Sequence, residues 1–546
     1  MCYRFSEIPK DKPVVSAPVI QHPEKPDEPA YKVTILQPAP KPLPTSSVTS
    51  SVNTPTASKM GTPRSEPTQV ERYLTVSEIN TIFIGSLIQS AEDFLGKKVA
   101  GVVIAVPAWF EEIQREALIK ATEDAGVKVL QLIDDVAAAA LQSITTPTSS
   151  DLREDRTQLV VDLGSSSLSL AILSIRHGLI HPLASSSDLT IGADLIDQKL
   201  INFFAKDFTR KTKIRLSLPV TTTSPAADKR AEAKLRLAIE HTKRTISASS
   251  GAATCSVESL KDGYDLSGTI NRMRFDMEAR EVYSKIAESA KKLVADAGLD
   301  LYDIDEIVYV GGTGCLPGLD RAVLDAGFLE EVVVTPFSDG TAVCGGASDP
   351  TTLLAKGAVL QAKCLAEIAG DHNLLPAFGT ETELTKVKTT NKTLGLIFPE
   401  EWVEDGGLGG QWVPAILKET TLPARRIFTF YVDLGENNSG KVGFEVWEVK
   451  ESVKVELVKP PPLGGDDDDD EDEPEEREQK EKLIEKDGAA LTSITIPVNN
   501  GRKEKGRWKT KIGVRFVVDE GGKVEVTAWE LDGGEKVHKI IQQIPA

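Results

Sequence analysis

Cysteine is scarce in this sequence of 546 residues, which contains only five. The five lie far apart, without a CxxC pair and without the Cys/His spacing that binds zinc. The sequence therefore indicates neither a zinc site nor a disulfide framework, and a reducing compartment fits this pattern best. The cysteines are Cys2, Cys255, Cys315, Cys344 and Cys364.

Long apolar runs are also missing. The first residues, MCYRFSEIPKDKP, lack the apolar core of a signal peptide. The longest apolar stretches, such as VAGVVIAVPAWF, are too short to cross a bilayer. We therefore expect a cytoplasmic protein that makes no contact with a membrane.

The net charge of -19 is unevenly distributed. The stretch DDDDDEDEPEE at 466–476 alone carries ten acids and no base. Since more than half of the net charge is local, the total charge says little about partners. We expect this acidic run to lie in an exposed loop, 464–478.

The stretch GRKEKGRWKTK, which ends at Lys511, is the opposite case. It is compatible with an RNA-facing patch in which Trp508 stacks on a base. A solvated basic hairpin beside the acidic loop is the favoured alternative, so we do not expect direct binding of nucleic acid.

The first 73 residues predict a non-globular segment or the remnant of a domain. Residues 37–70 are rich in Pro, Ser and Thr and contain too little apolar surface to offset the chain entropy lost on folding. They are expected to form a disordered linker. The preceding AYKVTILQ is one short strand candidate, and its partners are not evident from the sequence.

From Leu74 onward the pattern is globular. LTVSEINTIFIGSLIQSAEDFLG has apolar residues at helical spacing, with Thr75 placed to cap the helix and Gly96 to close it. A strand, a helix and another strand follow, which predicts an α/β domain over 74–372. After residue 373, strand-like runs alternate with Gly, Asn and Asp turns, which predicts a small antiparallel β domain over 373–546.

Three motifs could carry chemistry. The stretch QLVVDLGSSSLSLAIL reads as a strand, the acid Asp162, a small-residue turn and a second strand. Such turns present backbone N–H groups to phosphate, with a carboxylate nearby for a hydrated metal ion, although an ordinary β-hairpin has the same pattern. LRLAIEHTKRTIS places Glu240, Lys243, Arg244 and Ser247 on one helix face, which could equally be a solvated charged face. IVYVGGTGCLPGL is a strand that meets a glycine turn, or a plain strand end.

In this order the motifs resemble the nucleotide-binding domain of the heat shock protein 70 (DnaK-like) family. Further segments of that domain are similar to VVIAVPAWFEEIQREALIKATEDAG and LTIGADLIDQKLINFF. The family's peptide-binding β domain is similar to FVVDEGGKVEVTAWELDGGEK. The resemblance implies an α/β, actin-like, two-lobed domain with an incomplete first lobe, followed by a shortened substrate-binding-like β domain. The first-lobe part would be 74–157 and the second lobe 158–372.

The resemblance also implies ATP and Mg²⁺ as ligands. Asp162 matches the acid that faces magnesium through water, and the next four residues match the phosphate loop. The positions implied for the cofactor are Asp162, Gly164, Ser165, Ser166, Ser167, Glu240, Lys243, Arg244, Ser247, Gly311, Gly312 and Thr313.

Other positions depart from the family pattern. Serines replace two glycines of the phosphate loop, and each adds a Cβ where the backbone approaches phosphate and could need an unusual φ. Cys315 stands where the family has an arginine over adenine, Ser169 where it has a second acid, and Asp135 with Val136 where it has Glu and Pro. Residues 1–73 contain neither the family's opening D-L-G-T-T strands nor its catalytic lysine segment. We therefore assign no catalytic residue and do not expect efficient hydrolysis.

These departures resemble the atypical fungal members of the family that pair with the J-protein zuotin at the ribosome. That resemblance implies a co-chaperone whose partners are a zuotin-type J-protein, the ribosome and a second, active chaperone, and which acts on nascent chains indirectly. An active ATP-dependent folding chaperone whose opening strands are missing from this chain is the alternative. A sugar-kinase-like enzyme is a weaker one, because a small-molecule kinase has no need of the β domain.

Overall fold

The computed structural model describes residues 19–37, 68–145, 152–221, 223–248, 251–328, 332–335, 337–338, 341–342, 349–368, 387–399, 408–436, 440–458, 477–504, 506–531 and 536–541. The chain divides into two compact units, and each is described by itself. The first combines Met1–Asp134 with Asp194–Glu278, and the second combines Asp135–Ala193 with Ala279–Ala546. The domain boundaries inferred from the sequence stay predictions.

The first unit begins with an antiparallel sheet of three strands, β1 (Val19–Gln21), β2 (Pro29–Gln37) and β3 (Thr68–Thr75). Residues 19–37 are therefore not the non-globular segment predicted from the sequence. The partner of β2 was missed because β3 follows only after the Pro/Ser/Thr-rich stretch, of which 38–67 lies outside the described residues. Gln37 and Thr68 pair directly, so this stretch connects the two strands of a hairpin.

Helix α1 (Val76–Leu95) confirms the predicted caps. Thr75 Oγ1 accepts a hydrogen bond from the Glu78 N–H at 3.2 Å, and the Glu78 carboxylate accepts one from the Thr75 N–H at 2.8 Å. Gly96 closes the helix at φ 64°. None of the residues of α1 is buried, and several large apolar side chains are exposed: Ile82, Phe83, Leu87, Phe94 and Leu95.

The predicted strand–helix–strand unit follows as β4 (Val102–Val106), α2 (Glu112–Asp124) and β5 (Val129–Asp134). The two strands pair in parallel and form a sheet of two strands. Arg115 ties the helix to the sheet because its guanidinium donates to Asp134 Oδ1 at 3.0 Å.

The rest of the first unit contains α4 (Ala193–Thr212), α5 (Ala226–Ala248), β9 (Ala252–Lys261), β10 (Tyr264–Asn271) and the start of α6 (Arg272–Asp296), numbered after elements of the second unit. The hairpin β9–β10 packs on α5. The buried side chains of α5 recur every three or four residues, as an amphipathic helix requires. They include Ala231, Leu235, Ile239, Thr242 and Ile246.

The second unit is built on a five-stranded sheet in the order β12-β11-β6-β7-β8. The strands β6, β7 and β8 are antiparallel, whereas β11 and β12 run parallel to β6. Helices α3 and α8 pack on each other so closely that a Cβ on Gly357 would overlap the Ala138 carbonyl. The bounds are α3 (Asp135–Thr145), β6 (Arg156–Leu163), β7 (Leu168–Arg176), β8 (Leu179–Asp188), β11 (Glu306–Val310), α7 (Leu319–Leu324), β12 (Val333–Thr335), β13 (Phe337–Ser338), β14 (Thr341–Ala342) and α8 (Leu353–Ile368).

The antiparallel β domain predicted for the C-terminal part of the chain consists of two sheets. One has the order β16-β15-β18-β19 with β20 on β18, and the other β17-β22-β23-β24 with β21 on β22. They share an apolar core that includes Leu396, Phe444, Ile494 and Phe516. The strands are β15 (Thr393–Pro399), β16 (Gly410–Ile416), β17 (Ala424–Gly435), β18 (Lys441–Val458), β19 (Arg477–Lys486), β20 (Thr492–Pro497), β21 (Arg502–Glu504), β22 (Arg507–Val518), β23 (Val524–Glu530) and β24 (Val537–Ile541).

Two predictions about this domain need correction. VKVELVK is not a separate strand but the second half of β18. The acidic loop ends earlier than 478, because β19 begins at Arg477, which pairs with Val458. The acidic run itself, 466–476, lies outside the described residues. So do Cys2 and Cys344, while Cys255, Cys315 and Cys364 take part in no disulfide.

The β domain contacts the β6–β7 hairpin at the end opposite its turn, through arginines that are almost fully buried. Arg176 donates to the Lys418 carbonyl at 3.2 Å, and Ser174 Oγ donates to the Glu419 carbonyl at 3.3 Å. Arg426, 8% exposed, forms an ion pair with Asp155 Oδ1 at 3.1 Å. Because buried charges need partners, these contacts fix where the β domain sits on this sheet.

We expect Arg426→Met to weaken this docking by about 1–3 kcal/mol, because the substitution removes a charged hydrogen-bond partner of Asp155 from a largely buried contact. Equilibrium unfolding in urea measures the change. Arg425→Met is the matched control, since Arg425 is exposed. Equal losses in the two variants would show that the ion pair does not hold the interface.

Candidate functional site

The parallel pairing of β6 with β11 brings two predicted site residues together. Val310 pairs with Asp162, so the carboxyl ends of both strands meet at one edge of the sheet. Gly311 follows with φ 83°, in the left-handed region that favours glycine. A Cβ on Gly311 would lie 3.7 Å from Asp162 Oδ1. The acid and the glycine turn predicted from two distant motifs are thus neighbours.

The predicted phosphate loop is the turn of the β6–β7 hairpin. The Gly164 N–H donates to the Ser167 carbonyl at 2.9 Å, while Ser165 and Ser166 are exposed. None of the residues Gly164, Ser165, Ser166 and Ser167 has a positive φ. The expectation that the serines could need an unusual φ is therefore wrong, and their side chains, each a Cβ with a hydroxyl group, separate this turn from a glycine-rich one.

Gly192 supports this turn from behind and was not nominated from the sequence. The Ala193 N–H donates to the Gly164 carbonyl at 3.0 Å, so the chain before α4 lies against the turn. A Cβ on Gly192 would overlap the Ser165 carbonyl oxygen. Only glycine fits there. The sequence contains Gly192 within LTIGADLIDQ, but nothing in this stretch indicates that it contacts the turn, because this contact depends on long-range packing.

Asp162 lies in an electrostatically unfavourable position. Its burial and the nearby Asp135 carboxylate together raise the pKa of Asp162 to about 7, from an ordinary value of 3.8. Asp135 begins α3, and its proximity to Asp162 was not predicted. Ser169 stands directly opposite Asp162 across the hairpin, so the second acid beside Asp162 is Asp135 and not the residue paired with it.

These two carboxylates fit a hydrated Mg²⁺ ion, because a cation between them would relieve their repulsion and keep Asp162 ionised. Magnesium is commonly bound by one or two carboxylates, with water and phosphate oxygens completing the octahedron. Among the described residues no group of three or more His, Cys, Asp or Glu side chains could hold a metal ion by itself.

The predicted adenosine-binding residues form a charge network on α5. The Lys243 ammonium contacts Asp197 Oδ1 at 2.8 Å and Glu240 Oε2 at 3.0 Å, and the Arg244 Nε contacts Glu240 Oε1 at 3.0 Å. Burial disfavours the charge on Lys243, but the Asp197 and Glu240 carboxylates more than offset this effect and raise the pKa of Lys243. The Ser247 hydroxyl donates to the Lys243 carbonyl at 2.9 Å.

The second glycine turn continues as a single tight turn, Gly312–Cys315. The Gly311 N–H donates to the Pro350 carbonyl at 2.9 Å, which anchors the start of the turn. Thr313 lies within it, and Cys315 at its end is half-buried. The structure thus groups the acid, the phosphate turn and Gly311 to Thr313 in the second unit, and the α5 network in the first.

Comparisons of the chain with known proteins point to one family. The family model described as "Hsp70 protein" matches residues 46–363. The chain is 31% identical to "Heat shock protein 70 homolog C57A7.12" of Schizosaccharomyces pombe, over 85% of this chain and 75% of that protein. It is 27% identical to "Ribosome-associated complex subunit SSZ1" of Saccharomyces cerevisiae, over 86% of this chain and 79% of that protein. It is also 30% identical to a "Heat shock 70 kDa protein" of Emericella nidulans, over 66% of this chain and 49% of that protein.

The chain belongs to the Hsp70 family. ATP binding with Mg²⁺ is a general property of Hsp70 proteins, and the predicted α/β domain followed by a β domain agrees with this membership. No helix in the described part of this Hsp70 chain is long and apolar enough to cross a membrane.

In the absence of nucleotide, we expect Asp162→Asn to raise the free energy of unfolding of this Hsp70 chain. This gain over wild type should grow from pH 4 to pH 7. The raised pKa means that the folded state holds the proton more tightly than the unfolded chain, so wild-type stability falls across this range. Above pH 7 the gain approaches about 4 kcal/mol, since the shift is about three pKa units and one unit corresponds to about 1.4 kcal/mol. Unfolding in urea at several pH values measures it.

Asp188→Asn is the control for this pH series. Hydrogen bonds from Thr190 lower the pKa of Asp188, so its carboxylate stabilises the fold as pH rises, and the substitution has the opposite pH trend. If the stability difference between Asp162→Asn and wild type were independent of pH, the assigned electrostatics of Asp162 would be wrong.

We also expect Gly192→Ala to displace the phosphate turn, because the new methyl group overlaps the Ser165 carbonyl. Overpacking of this kind costs about 1–3 kcal/mol, and ATP affinity should fall at least about tenfold. Gly312→Ala is the control for stability, since its Cβ would make only an ordinary contact of 3.9 Å with Thr351. Calorimetric ATP titration and thermal unfolding test both variants, and wild-type ATP affinity in Gly192→Ala would contradict the assigned role.

Proposed function

We propose that this chain is an atypical Hsp70-type co-chaperone that binds ATP with Mg²⁺, does not hydrolyse it efficiently, and acts with a zuotin-type J-protein at the ribosome in the cytoplasm. The observation that carries the proposal is the combination at the β6–β11 edge. Asp162, the turn from Gly164 to Ser167 and the turn from Gly311 to Thr313 lie together at this edge, and their grouping supports a phosphate-binding arrangement around a carboxylate. Within the described residues, this carboxylate has no ion pair with a cationic side chain.

The lack of a cationic side chain beside Asp162 among the described residues is the reason why we propose ATP binding without efficient hydrolysis. The raised pKa of Asp162 arises from burial and a second acid, whereas phosphoryl transfer needs positive groups at the phosphates and a residue that orients the attacking water. A bound Mg²⁺ would supply positive charge but would not replace a positioned lysine. ATP then acts as a ligand that stabilises the fold in proportion to its excess over the dissociation constant.

The place of action is proposed from the similarity to the ribosome-associated complex subunit. Under this proposal the chain pairs with the J-protein, docks at the ribosome and stimulates a second, active chaperone, so that its contact with nascent chains is indirect.

We also propose an actin-like, two-lobed domain whose first lobe is incomplete. The sheet of only two strands that β4 and β5 form among the described residues supports this proposal.

An active ATP-dependent folding chaperone remains the alternative. It would require hydrolysis that the J-protein accelerates, and a peptide held by the β domain. The two hypotheses therefore differ in phosphate release rather than in ATP binding.

The test combines three measurements on the purified chain with a zuotin-type J-protein. We expect ATP with Mg²⁺ to raise the unfolding temperature, phosphate release to stay at background with or without the J-protein, and the pair to sediment with ribosomes. Steady phosphate release that Asp162→Asn abolishes would overturn the proposal and favour the active chaperone. Asp194→Asn, at an exposed acid on α4, controls for nonspecific effects.

A further inference from the structure

We propose that the end of helix α4 and the loop that follows it bind the phosphate groups of folded RNA. We call this surface the basic edge and define it by four exposed bases, Lys206, Arg210, Lys213 and Arg215. Lys206 and Arg210 are four residues apart and so lie on one face of α4, and the other two follow the last residue of the helix, Thr212. The choice of RNA over other polyanions rests on the proposed function, which places the chain at the ribosome.

The basic edge lies in a positively charged part of a chain whose net charge is -19. Residues 206–271 contain twelve Lys and Arg and seven Asp and Glu, and the twenty residues between Asp207 and Asp228 contain four bases and no acid. Within 206–271 only Thr222, Ser249 and Ser250 lie outside the described residues, and none of them is charged. No charged residue of this part of the chain is therefore left out of the count.

Most of the positive charge of the basic edge is not cancelled by a neighbouring acid. The Asp207 carboxylate contacts both Arg210 Nη2 at 2.6 Å and Lys211 Nζ at 2.7 Å, so one acid serves two bases. Within the described residues, the bases of the edge that form no ion pair are Lys206, Lys213 and Arg215. Positive charge therefore remains both on the last turns of α4 and on the loop after it.

The acids on the elements beside the basic edge do not remove this surplus. At the start of α5, Asp228 pairs with Lys261 of the β9–β10 hairpin. One turn further along α5, Glu232 pairs with Arg236 at 2.8 Å. The other acids of the hairpin are Glu258, Asp262 and Asp265. Even with these three, the bases of residues 206–271 outnumber the acids by five.

The loop after α4 is fixed to its neighbours. The Lys261 Nζ donates to the Arg215 carbonyl at 2.7 Å, and the Val220 N–H donates to the Glu232 carboxylate at 2.7 Å. Leu216 and Val220 are buried, which anchors the same loop by its apolar side chains. Because the loop is held by these contacts before RNA binds, little of its conformational entropy is lost on binding.

The stability of α4 does not account for all of these bases. A base in the last turn of a helix interacts favourably with the helix dipole, which accounts for Arg210. Lys213 lies beyond the helix at φ 63°, in the left-handed region where glycine is preferred after a helix. A lysine at a position where the backbone favours glycine indicates that its side chain serves a role other than folding.

The residue types of this segment fit phosphate groups better than nucleobases. Contacts to phosphate come from Lys and Arg and from Ser and Thr hydroxyls, and residues 206–225 contain five of the former and seven of the latter. The range contains no Tyr, Trp or His, and its single Phe, Phe208, is buried, so it offers no ring on which a nucleobase could stack. Double-helical RNA, which proteins recognise largely through its phosphates, 2′-hydroxyls and shape, is therefore favoured over a single strand.

The sequence indicated a different stretch for an RNA-facing patch. Trp508, the candidate for stacking in GRKEKGRWKTK, packs against the apolar core instead. The basic edge was missed because Asp207, Asp228 and Glu232 lie among the bases of this segment in the sequence. Only the ion pairs show which bases these acids neutralise.

The experiment titrates a labelled RNA hairpin with the full chain and follows the fluorescence anisotropy of the RNA. A stem of about 16 base pairs suits it, since a double-stranded-RNA-binding domain spans this length. We expect a dissociation constant on the order of 10⁻⁵ M at low salt and a salt slope of about -3.6, from four phosphate contacts at about -0.9 each. Lys213→Gly combined with Arg215→Gln should weaken binding about tenfold and reduce the size of the slope by about 1.8.

Lys213→Gly by itself separates the charge from folding. Glycine suits the left-handed backbone at this position, so the temperature of thermal unfolding should not fall. RNA binding should nevertheless weaken, and the size of the salt slope should fall by about 0.9. Lys206→Gln is a second variant that leaves the loop untouched, and we expect the same change in slope from it.

Lys291→Gln combined with Lys292→Gln is the matched control. Both lysines are exposed on α6, so this variant removes two positive charges, as the double variant of the basic edge does. Glu288 and Asp296 lie about one turn to either side of Lys292 on the same helix, so the charges there are locally balanced. The control should bind the hairpin like wild type.

The inference is wrong if the control loses as much affinity as the double variant of the basic edge, or if that variant keeps both its affinity and its salt slope. Equal affinity for polyglutamate would show a surface for any polyanion. Tighter binding of duplex DNA or of single-stranded RNA than of the hairpin would reject folded RNA as the ligand.

These titrations need neither the J-protein nor the ribosome. Sedimentation of the chain and its J-protein with ribosomes tests the proposed function separately. Loss of sedimentation with intact binding of the hairpin would reject the proposed function alone, and the reverse result would reject the basic edge alone.

Discussion

The architecture of the second unit depends on the buried ion pair between Arg156 and Glu306. The Arg156 Nε lies 2.7 Å from Glu306 Oε2, and the Gln158 amide donates to the same oxygen at 2.8 Å. Glu306 is completely buried, and a buried charge needs partners such as these two donors. These contacts join the first residues of β6 and β11 and set their parallel register. Four residues further along, the same register brings Asp162 beside the glycine turn.

Arg156 also connects the nucleotide site with the β domain. Its carbonyl accepts a hydrogen bond at 2.8 Å from Arg176, whose guanidinium also reaches the Lys418 carbonyl of the docked β domain. The phosphate turn lies at the other end of the same hairpin, roughly 25 Å away for strands of this length. ATP at that turn would be too far from Arg176 to contact these docking residues directly. An influence of ATP on these contacts would therefore require a shift between two arrangements of the intervening structure.

The local parts of the fold were predictable from the sequence, and the long-range parts were not. Thr75 and Gly96 mark the ends of α1 through local cap chemistry, and the strand–acid–turn–strand pattern predicted the β6–β7 hairpin that contains Asp162. Gly192 and Asp135 reach the site only through packing, so no pattern near Asp162 in the sequence indicates them. Strand β19 was missed because REQKEKLIEK lacks the apolar alternation of a strand, and pairing with β18 overrides this composition.

The two biased stretches of the chain share one topological setting. The Pro/Ser/Thr-rich stretch connects Gln37 to Thr68, and the acidic stretch connects Val458 to Arg477, each pair being opposite neighbours in an antiparallel ladder. The ends of each stretch are thus held together by strand pairing. The free energy of closing a loop between two joined points rises only slowly with the number of residues between them, by about 0.6 kcal/mol for each doubling. Insertions between these paired strand ends should therefore cost little folding free energy, which makes the two positions suitable for inserted reporter tags.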